Sequence, residues 1–561
     1  MNNFEISKKY FLEGIELYSN QNYNEAKLKF EESLKLEPNR PSILLNLSKT
    51  YFKLHDYEKA EEKLEKLFLL VGFKEEKKEA LKLILEVYTK QNNINKIVLN
   101  KNRININNLD NKLNYLKHTL FYPSFFYSNE EIDIARDNIN ENINHLLNSR
   151  NCPKLNLENE MLNPVNFWLT YDGKPNIDIY KKLVKLYKKI YQINDEQNLD
   201  ANKSKDKIKI GFISEFFTNH TIMKWFKGII YKLDKKKFEV IVFHSDKNKK
   251  GNRFEEIKRN ELIFKYENIF LPESFFEKKK LIEDKNLDIL FYTDIHMSTN
   301  LYFLTLYKLA KYQITTLGHP ETTGNNKIDF FLSSKLIETD NYEKRYTENV
   351  ILSESLPMYF YKPEIKLKLN RNDLTKKNIY SCPQAIFKMH PSFDIAIKKI
   401  LHKDKKAQIY FVKDKSEFLY KQFIKRLKKS ISSDFDRVKF IKPNNVEEFI
   451  NHCGRASVLL DPFIFGSATS FIESMFYGTP TISMPNESMK SRIVDGAYKQ
   501  MQITDAPIKT NLDDYVDHAI EIANNDNYDL KKYFSDQADK FLYDNDNFIE
   551  EFENLILKII N

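Results

Sequence analysis

A lysine, a glutamate and two histidines stand out in this chain, less for their type than for what precedes each of them. In SVLLDPFIFGSATSFIESMFYGTPTISMP (457–485) an apolar run ends at Asp461, and a loop holding Gly466, Ser467 and Ala468 follows. A helical pattern then opens near Thr469 and Ser470. Small residues let a ligand approach the backbone, and the first amides of a helix lack carbonyl partners, which suits a phosphate. Glu473 falls in the first turn on this reading. A carboxylate there can accept hydrogen bonds from a ribose diol, or it can simply complement the helix dipole, and the spacing leaves both open. Lys388 follows the strand-like run NIYSCPQ, which ends at Gln384; a cation beyond the carboxyl end of a strand faces the place where α/β folds bind ligands. His220 and His319 each follow a strand-like run as well. A neutral imidazole at such a place can take a proton or hydrogen-bond a polar ligand. The plain alternatives are a solvated lysine among 88 basic residues and two satisfied structural histidines.

Such residues need a scaffold, and the pattern supplies one. From residue 206 short apolar runs alternate with helical periods: KIKIGFIS, FEVIVFHS, LDILFYTDI, YQITTLGHP and DFFLSS, then NIYSCPQ, AQIYFVKD, RVKFIKP, SVLLDPF and TPTISMP. The alternation predicts parallel sheets with crossover helices, in two lobes with a cleft between them. The first hundred residues differ. Tyr23 and Ala26 recur as Tyr57 and Ala60, the 34-residue period of tetratricopeptide helix pairs, with Tyr10, Gly14, Leu17, Phe30 and Pro38 completing the first unit. Leu44, Ser48 and Tyr51 belong to the second, and a degenerate third places Lys96 at the Ala position. The expected organisation is tetratricopeptide-like repeats over 1–104 and a helical intervening region over 105–205, ending in the polar linker ANKSKDK. An N-terminal Rossmann-like lobe follows over 206–370, and a C-terminal one with terminal helices over 371–561.

Composition narrows the class. The 561 residues are 42% hydrophobic and 30% charged, as in soluble globular proteins. The net charge of +9 is spread over helices in which Lys and Glu alternate. No basic stripe with interleaved aromatics points to nucleic acid, which is excluded as a partner. Cys152, Cys382 and Cys453 have no metal-ligand or disulfide spacing, the N-terminus has no apolar signal region, and no run is long enough to span a bilayer. A cytoplasmic protein is expected.

The motifs in order resemble the SPINDLY/O-linked N-acetylglucosamine transferase family, bacterial members included, to which bacterial adhesin N-glucosyltransferases are related. The likeness rests on GFISEFFTNH (211–220), LGHPETTG (317–324), IDFFLSS, LPMYFYKP, CPQAIFKMHPSFD (382–394) and the GSATS loop followed by Glu473 and YGTPTISMPNESMKSR. NFWLTYDGKPN (166–176) is similar to the family's helical region before the lobes. The resemblance implies repeats followed by a two-lobed GT-B fold. It implies transfer of a hexose or N-acetylhexosamine from a UDP-sugar, with no metal or other cofactor, to an O- or N-linked site on a polypeptide that the repeats hold. An acceptor glycan or small molecule, or a scaffold without catalysis, are the alternatives. Lys388 matches the lysine that contacts the diphosphate, and Gln384 a glutamine near the nucleotide. His220 matches a histidine near sugar and acceptor, as base or as ligand. These two, His220 and Lys388, are the expected catalytic residues. His319, Gln384, Asp461, Gly466, Ser467, Ala468, Thr469, Ser470 and Glu473 are expected to bind substrate. Two departures are visible: Ser467 and Ala468 replace glycines, and Phe449 stands where metazoan members place a histidine beside the uracil.

Overall fold

The 34-residue spacing from Tyr23 to Tyr57 is a spacing between helix starts: both residues open the second helix of a pair, Tyr23–Leu36 and Tyr57–Leu69. The computed structural model describes residues 2–104, 111–194, 207–245 and 265–560, and divides into two units, Met1–Leu155 and Asn156–Asn561. Residues 201–206 of the expected linker lie outside the described residues.

In the first unit the small residues are small because helices touch there. A Cβ on Gly14 would lie 2.7 Å from the Phe30 ring, and Ala26 and Ala60 are completely buried. Ser7 and Ser33 tie the first two helices together through a 2.9 Å hydroxyl pair. The helix Tyr23–Leu36 stops just before Pro38, and Pro41 opens the next, as fixed-φ residues do at helix borders. The third pair is shifted. Its second helix is Ile94–Leu99, so the position equivalent to Ala60 is the buried Ile97, not Lys96. The helix begins 37 residues after Tyr57 instead of 34, and the insertion turns Lys96 outward to pair with Glu61.

In the second unit all ten strand-like runs are strands. β1 (Ile208–Ser214), β2 (Phe238–Ser245), β3 (Glu267–Leu271), β4 (Ile289–Tyr292), β5 (Tyr312–Thr316), β6 (Phe330–Ser334) and β7 (Asn349–Ser353) form one parallel sheet, ordered β3-β2-β1-β4-β5-β6-β7. β8 (Ile379–Cys382), β9 (Gln408–Val412), β10 (Val438–Ile441), β11 (Val458–Leu460) and β12 (Thr481–Ile482) form a second, ordered β10-β9-β8-β11-β12. β3 and β7, which the pattern had not suggested, are the two edges of the first sheet. Their residues are mostly half-buried, so they carry no continuous apolar run.

The strand order decides where a ligand can sit. In the first sheet the chain runs β1 to β3 outward and returns to β4 on the other side of β1; in the second it runs β8 to β10 and returns to β11 beside β8. Order reverses at β1/β4 and at β8/β11, and crevices open beyond the carboxyl ends of strands at such points. The helix Asp546–Ile560 crosses back to the first sheet. Its Phe552 packs 5.6 Å from Phe291, and Glu553 accepts from the Asp234 amide and Lys237. Among the described residues no helix is long and apolar enough to cross a membrane.

Candidate functional site

Beyond β8 the chain makes a single 3-10 turn, Ile386–Lys388. Arg426, deep in the lobe, holds the Met389 carbonyl at 2.8 Å while forking onto Asp394, which fixes the turn from below. The Lys388 ammonium donates to Gln384 Oε1 at 3.0 Å and to the Gly466 carbonyl at 3.2 Å, and lies 4.5 Å over the Phe465 ring. Gln384 in turn donates through Nε2 to Ser467 Oγ at 2.8 Å and to Ser470 Oγ. Burial lowers the Lys388 pKa to about 8, opposed by the nearby Asp461 carboxylate.

Asp461 directly follows β11 and shapes the small-residue loop from behind. One oxygen accepts the Ser467 amide at 2.6 Å, the other the Ser483 hydroxyl at 2.6 Å, and burial raises its pKa to about 6. A Cβ on Gly466 would come within 3.0 Å of that carboxylate, so glycine is needed here for packing. The Gly466 amide donates to the Lys490 carbonyl. The amides of Gly466 and Ser467 are therefore consumed inside the loop and do not face a ligand. The helix that follows, Thr469–Ser474, has six residues, and Glu473 lies in its second turn instead of its first. From there it reaches across to Lys224, on the helix Thr221–Lys232 of the other lobe. One residue along, the Trp225 indole donates to Thr469 Oγ1 at 2.8 Å.

The opposite wall carries the histidines. His220 caps the helix Thr221–Lys232, its Nδ1 accepting the Ile222 amide at 3.2 Å. Burial, then the charges of Lys224 and Lys415, bring its pKa to about 4. His319 follows β5, is 4% exposed and stacks on Phe167 at 4.9 Å. Neither of its ring nitrogens has a hydrogen-bond partner among the described residues, and burial drives its pKa well down. His296, unassigned from sequence, donates through Nε2 to the Thr322 carbonyl at 3.1 Å and abuts His319 at 5.3 Å.

One cavity of about 350 Å³ gathers most of the expected residues: His220, His319, Gln384, Lys388, Ala468, Thr469, Ser470 and Glu473 line it. Asp461, Gly466 and Ser467 do not; they support its wall from behind. The sequence reading missed Lys224, Trp225 and an aromatic wall in which Tyr171 lies 4.9 Å from both Phe387 and Phe465. Phe167 and Tyr171 come from NFWLTYDGKPN, where three aromatics within five residues were the available signal. A second cavity of about 530 Å³ shares His220, Lys224 and Glu473 with the first, and is otherwise bordered by residues such as Tyr361, Pro363 and Val446.

Comparisons with known proteins agree with this architecture. A tetratricopeptide repeat model matches residues 17–69. The chain is 23% identical over 265 residues to the UDP-glucose:protein N-beta-glucosyltransferase of Actinobacillus pleuropneumoniae serotype 5b, covering 46% of this chain and 42% of that protein. It is 20% identical over 342 residues to the probable UDP-N-acetylglucosamine–peptide N-acetylglucosaminyltransferase SEC of Arabidopsis thaliana, covering 57% of this chain and 33% of the relative. The chain thus spans less than half the length of these curated relatives. A mutant of the Thermobaculum terrenum O-GlcNAc transferase superposes with a TM-score of 0.62 at 12% identity, over 100% of this chain and 98% of that one. The resemblance to the SPINDLY/O-linked N-acetylglucosamine transferase family is borne out, and the fold is a tetratricopeptide-like helical region followed by a GT-B pair of Rossmann-like lobes.

Proposed function

We propose that this protein is a glycosyltransferase that moves a hexose or N-acetylhexosamine from a UDP-sugar to a polypeptide, using Lys388 and not a metal ion as the counter-charge of the departing nucleotide. The observation that carries this is the placement of Lys388. Its ammonium is fixed by two oxygens and a ring face at the β8/β11 switch point, and it borders the cavity that His220 and His319 line from the other lobe. A cation already oriented at the wall of a crevice stabilises charge that develops on a diphosphate as the glycosidic bond breaks, without reorganising at that moment. Ser470 and Thr469 add hydroxyls beside it.

His220 serves as a donor on this reading, not as the base. Its Nδ1 accepts a backbone amide, so the single proton of the neutral ring sits on Nε2. That nitrogen can hydrogen-bond a sugar or phosphate oxygen but has no lone pair free for an acceptor's proton. His319, buried with both nitrogens unpartnered, would be satisfied by sugar hydroxyls. The polypeptide acceptor is supported by the repeat match and by what the named relatives act on. A cytoplasmic location is supported by three cysteines that are all free and buried. Incubating the protein with labelled UDP-glucose and UDP-N-acetylglucosamine and a cell extract tests the proposal: label should enter protein, and the absence of donor hydrolysis, of transfer and of UDP binding together would remove it.

A further inference from the structure

The Lys224–Glu473 pair occupies an unusual place. Both cavities of the crevice include both residues, so the pair stands on the wall where one cavity gives way to the other. A nucleoside diphosphate sugar is a linear object: base, ribose, diphosphate, sugar. If its sugar lies by His319, its diphosphate by Lys388 and its base in the larger cavity, the junction of ribose and diphosphate falls at this pair. As the molecule stands, the carboxylate expected to take the ribose diol is already held by a lysine.

Resting on the proposed donor reaction, we infer that Lys224 is a second donor-binding cation: it holds Glu473 while the crevice is empty and passes to the diphosphate when the ribose diol takes the carboxylate. Three observations support the exchange. Glu473 is enclosed, its side chain 8% exposed, so its charge needs a partner at every stage, whereas the Lys224 side chain is 29% exposed and borders open space. The helix bearing Lys224 is fixed. A Cβ on Gly228 would stand 2.1 Å from the Tyr359 ring, the Tyr359 amide donates to the Trp225 carbonyl at 3.0 Å, and Trp225 is bonded to Thr469. Only the side chain needs to move, and a flexible four-carbon stem with a compact ammonium suits that. Another ion pair between the lobes is built differently: Lys490 and Glu321, 4% and 12% exposed, meet at 2.7 Å and line neither cavity, as a structural pair should.

The exchange predicts opposite effects on two probes. Calorimetric titration of the whole protein with UDP and with uridine, which keeps the diol and lacks the phosphates, should show Lys224→Met weakening UDP by about tenfold. Uridine should bind as well or better, because its competitor for Glu473 has gone. Lys224→Arg should stay near wild type for UDP. Lys388→Ala should weaken UDP and leave uridine unchanged. Equal loss of both ligands in Lys224→Met, or loss of neither, would overturn the inference while leaving the donor site standing. A wild-type protein that binds neither probe would instead remove the proposed reaction itself. Should Lys224→Met fail to fold, Lys224→Gln is judged by the same split.

Discussion

The two faces of the crevice are finished to different degrees. On the C-terminal side every expected polar group is already spoken for: Lys388 by Gln384 and Gly466, Gln384 by Ser467 and Ser470, Asp461 by Ser467 and Ser483. On the N-terminal side His319 is buried with both nitrogens unpartnered among the described residues. A closed network is held in place before any ligand arrives and loses nothing on binding. An unpaired buried imidazole costs stability, and such costs concentrate where a ligand is to supply the missing bond. On the donor reaction proposed above, the contrast favours the nucleotide on the finished side and the sugar on the unfinished one.

The sharpest way to break that contrast is Lys388→Ala. Transition-state stabilisation by one preorganised charge is worth about 3–4 kcal/mol, so kcat/KM for the donor should fall by about 200- to 900-fold. Stability, read from urea unfolding, should drop by no more than about 1 kcal/mol, because the two oxygens it leaves lie at a cavity wall that water reaches. A comparable collapse of stability would make Lys388 a structural residue like Lys531, whose ammonium is enclosed by the carbonyls of Leu374, Gly454 and Ala456. Next in size is Gln384→Leu. It removes one of the two oxygens holding the Lys388 ammonium and the donor to two serine hydroxyls at once, so it should cost about 2 kcal/mol of stability and raise the donor KM by about tenfold. Loss of activity with no loss of stability would show that the network is not a unit.

How much of this the amino-acid pattern held can be argued from particular elements. Ten strands were legible because buried parallel strands are continuous apolar runs; β3 and β7 were not, because a sheet edge is half solvated. Lys388, Gln384 and the GSATS loop could be found because each lies within a few residues of a strand end. Lys224 could not, since its partner is 249 residues away in sequence and nothing local in TIMKWFKG distinguishes it from other helical lysines. Glu473 was assigned one turn too early although the helix does start at Thr469 as the run suggests: as its fifth residue, Glu473 falls just past the first turn. The acceptors of the loop's amides, Asp461 Oδ1 and the Lys490 carbonyl, are likewise set by folding and not by the local run.

The pH dependence sharpens the finished side further. Lys388 must be protonated to meet a diphosphate, and its pKa is lowered to about 8 in the free protein. The parameter kcat/KM reports the free enzyme, so it should be level below pH 8 and fall as pH rises through that value, by about tenfold at one unit above it. His220, with a pKa near 4, adds no limb in the neutral range. In Lys388→Arg the alkaline limb should vanish, since a guanidinium stays charged. Persistence of the limb in that variant would place the titration elsewhere.

The smallest effect falls on the unfinished side, and it is the one that separates the two faces most cleanly. His319→Phe puts an apolar ring of similar shape where Phe167 already stacks at 4.9 Å and Phe465 lies 6.2 Å away. Replacing a buried polar group that lacks partners with an apolar one of like shape is neutral to stabilising, so the thermal midpoint should hold or rise. A hydrogen bond to a hydroxyl of the transferred sugar is worth about 1 kcal/mol, so kcat/KM for the complete donor should fall roughly fivefold, while affinity for UDP, which lacks that sugar, stays unchanged. Stability and sugar recognition then move apart at this residue, where Gln384→Leu drives them down together. A loss of stability in His319→Phe, or a loss of UDP affinity, would mean that the imidazole is a satisfied part of the core, and that the two faces of the crevice are alike.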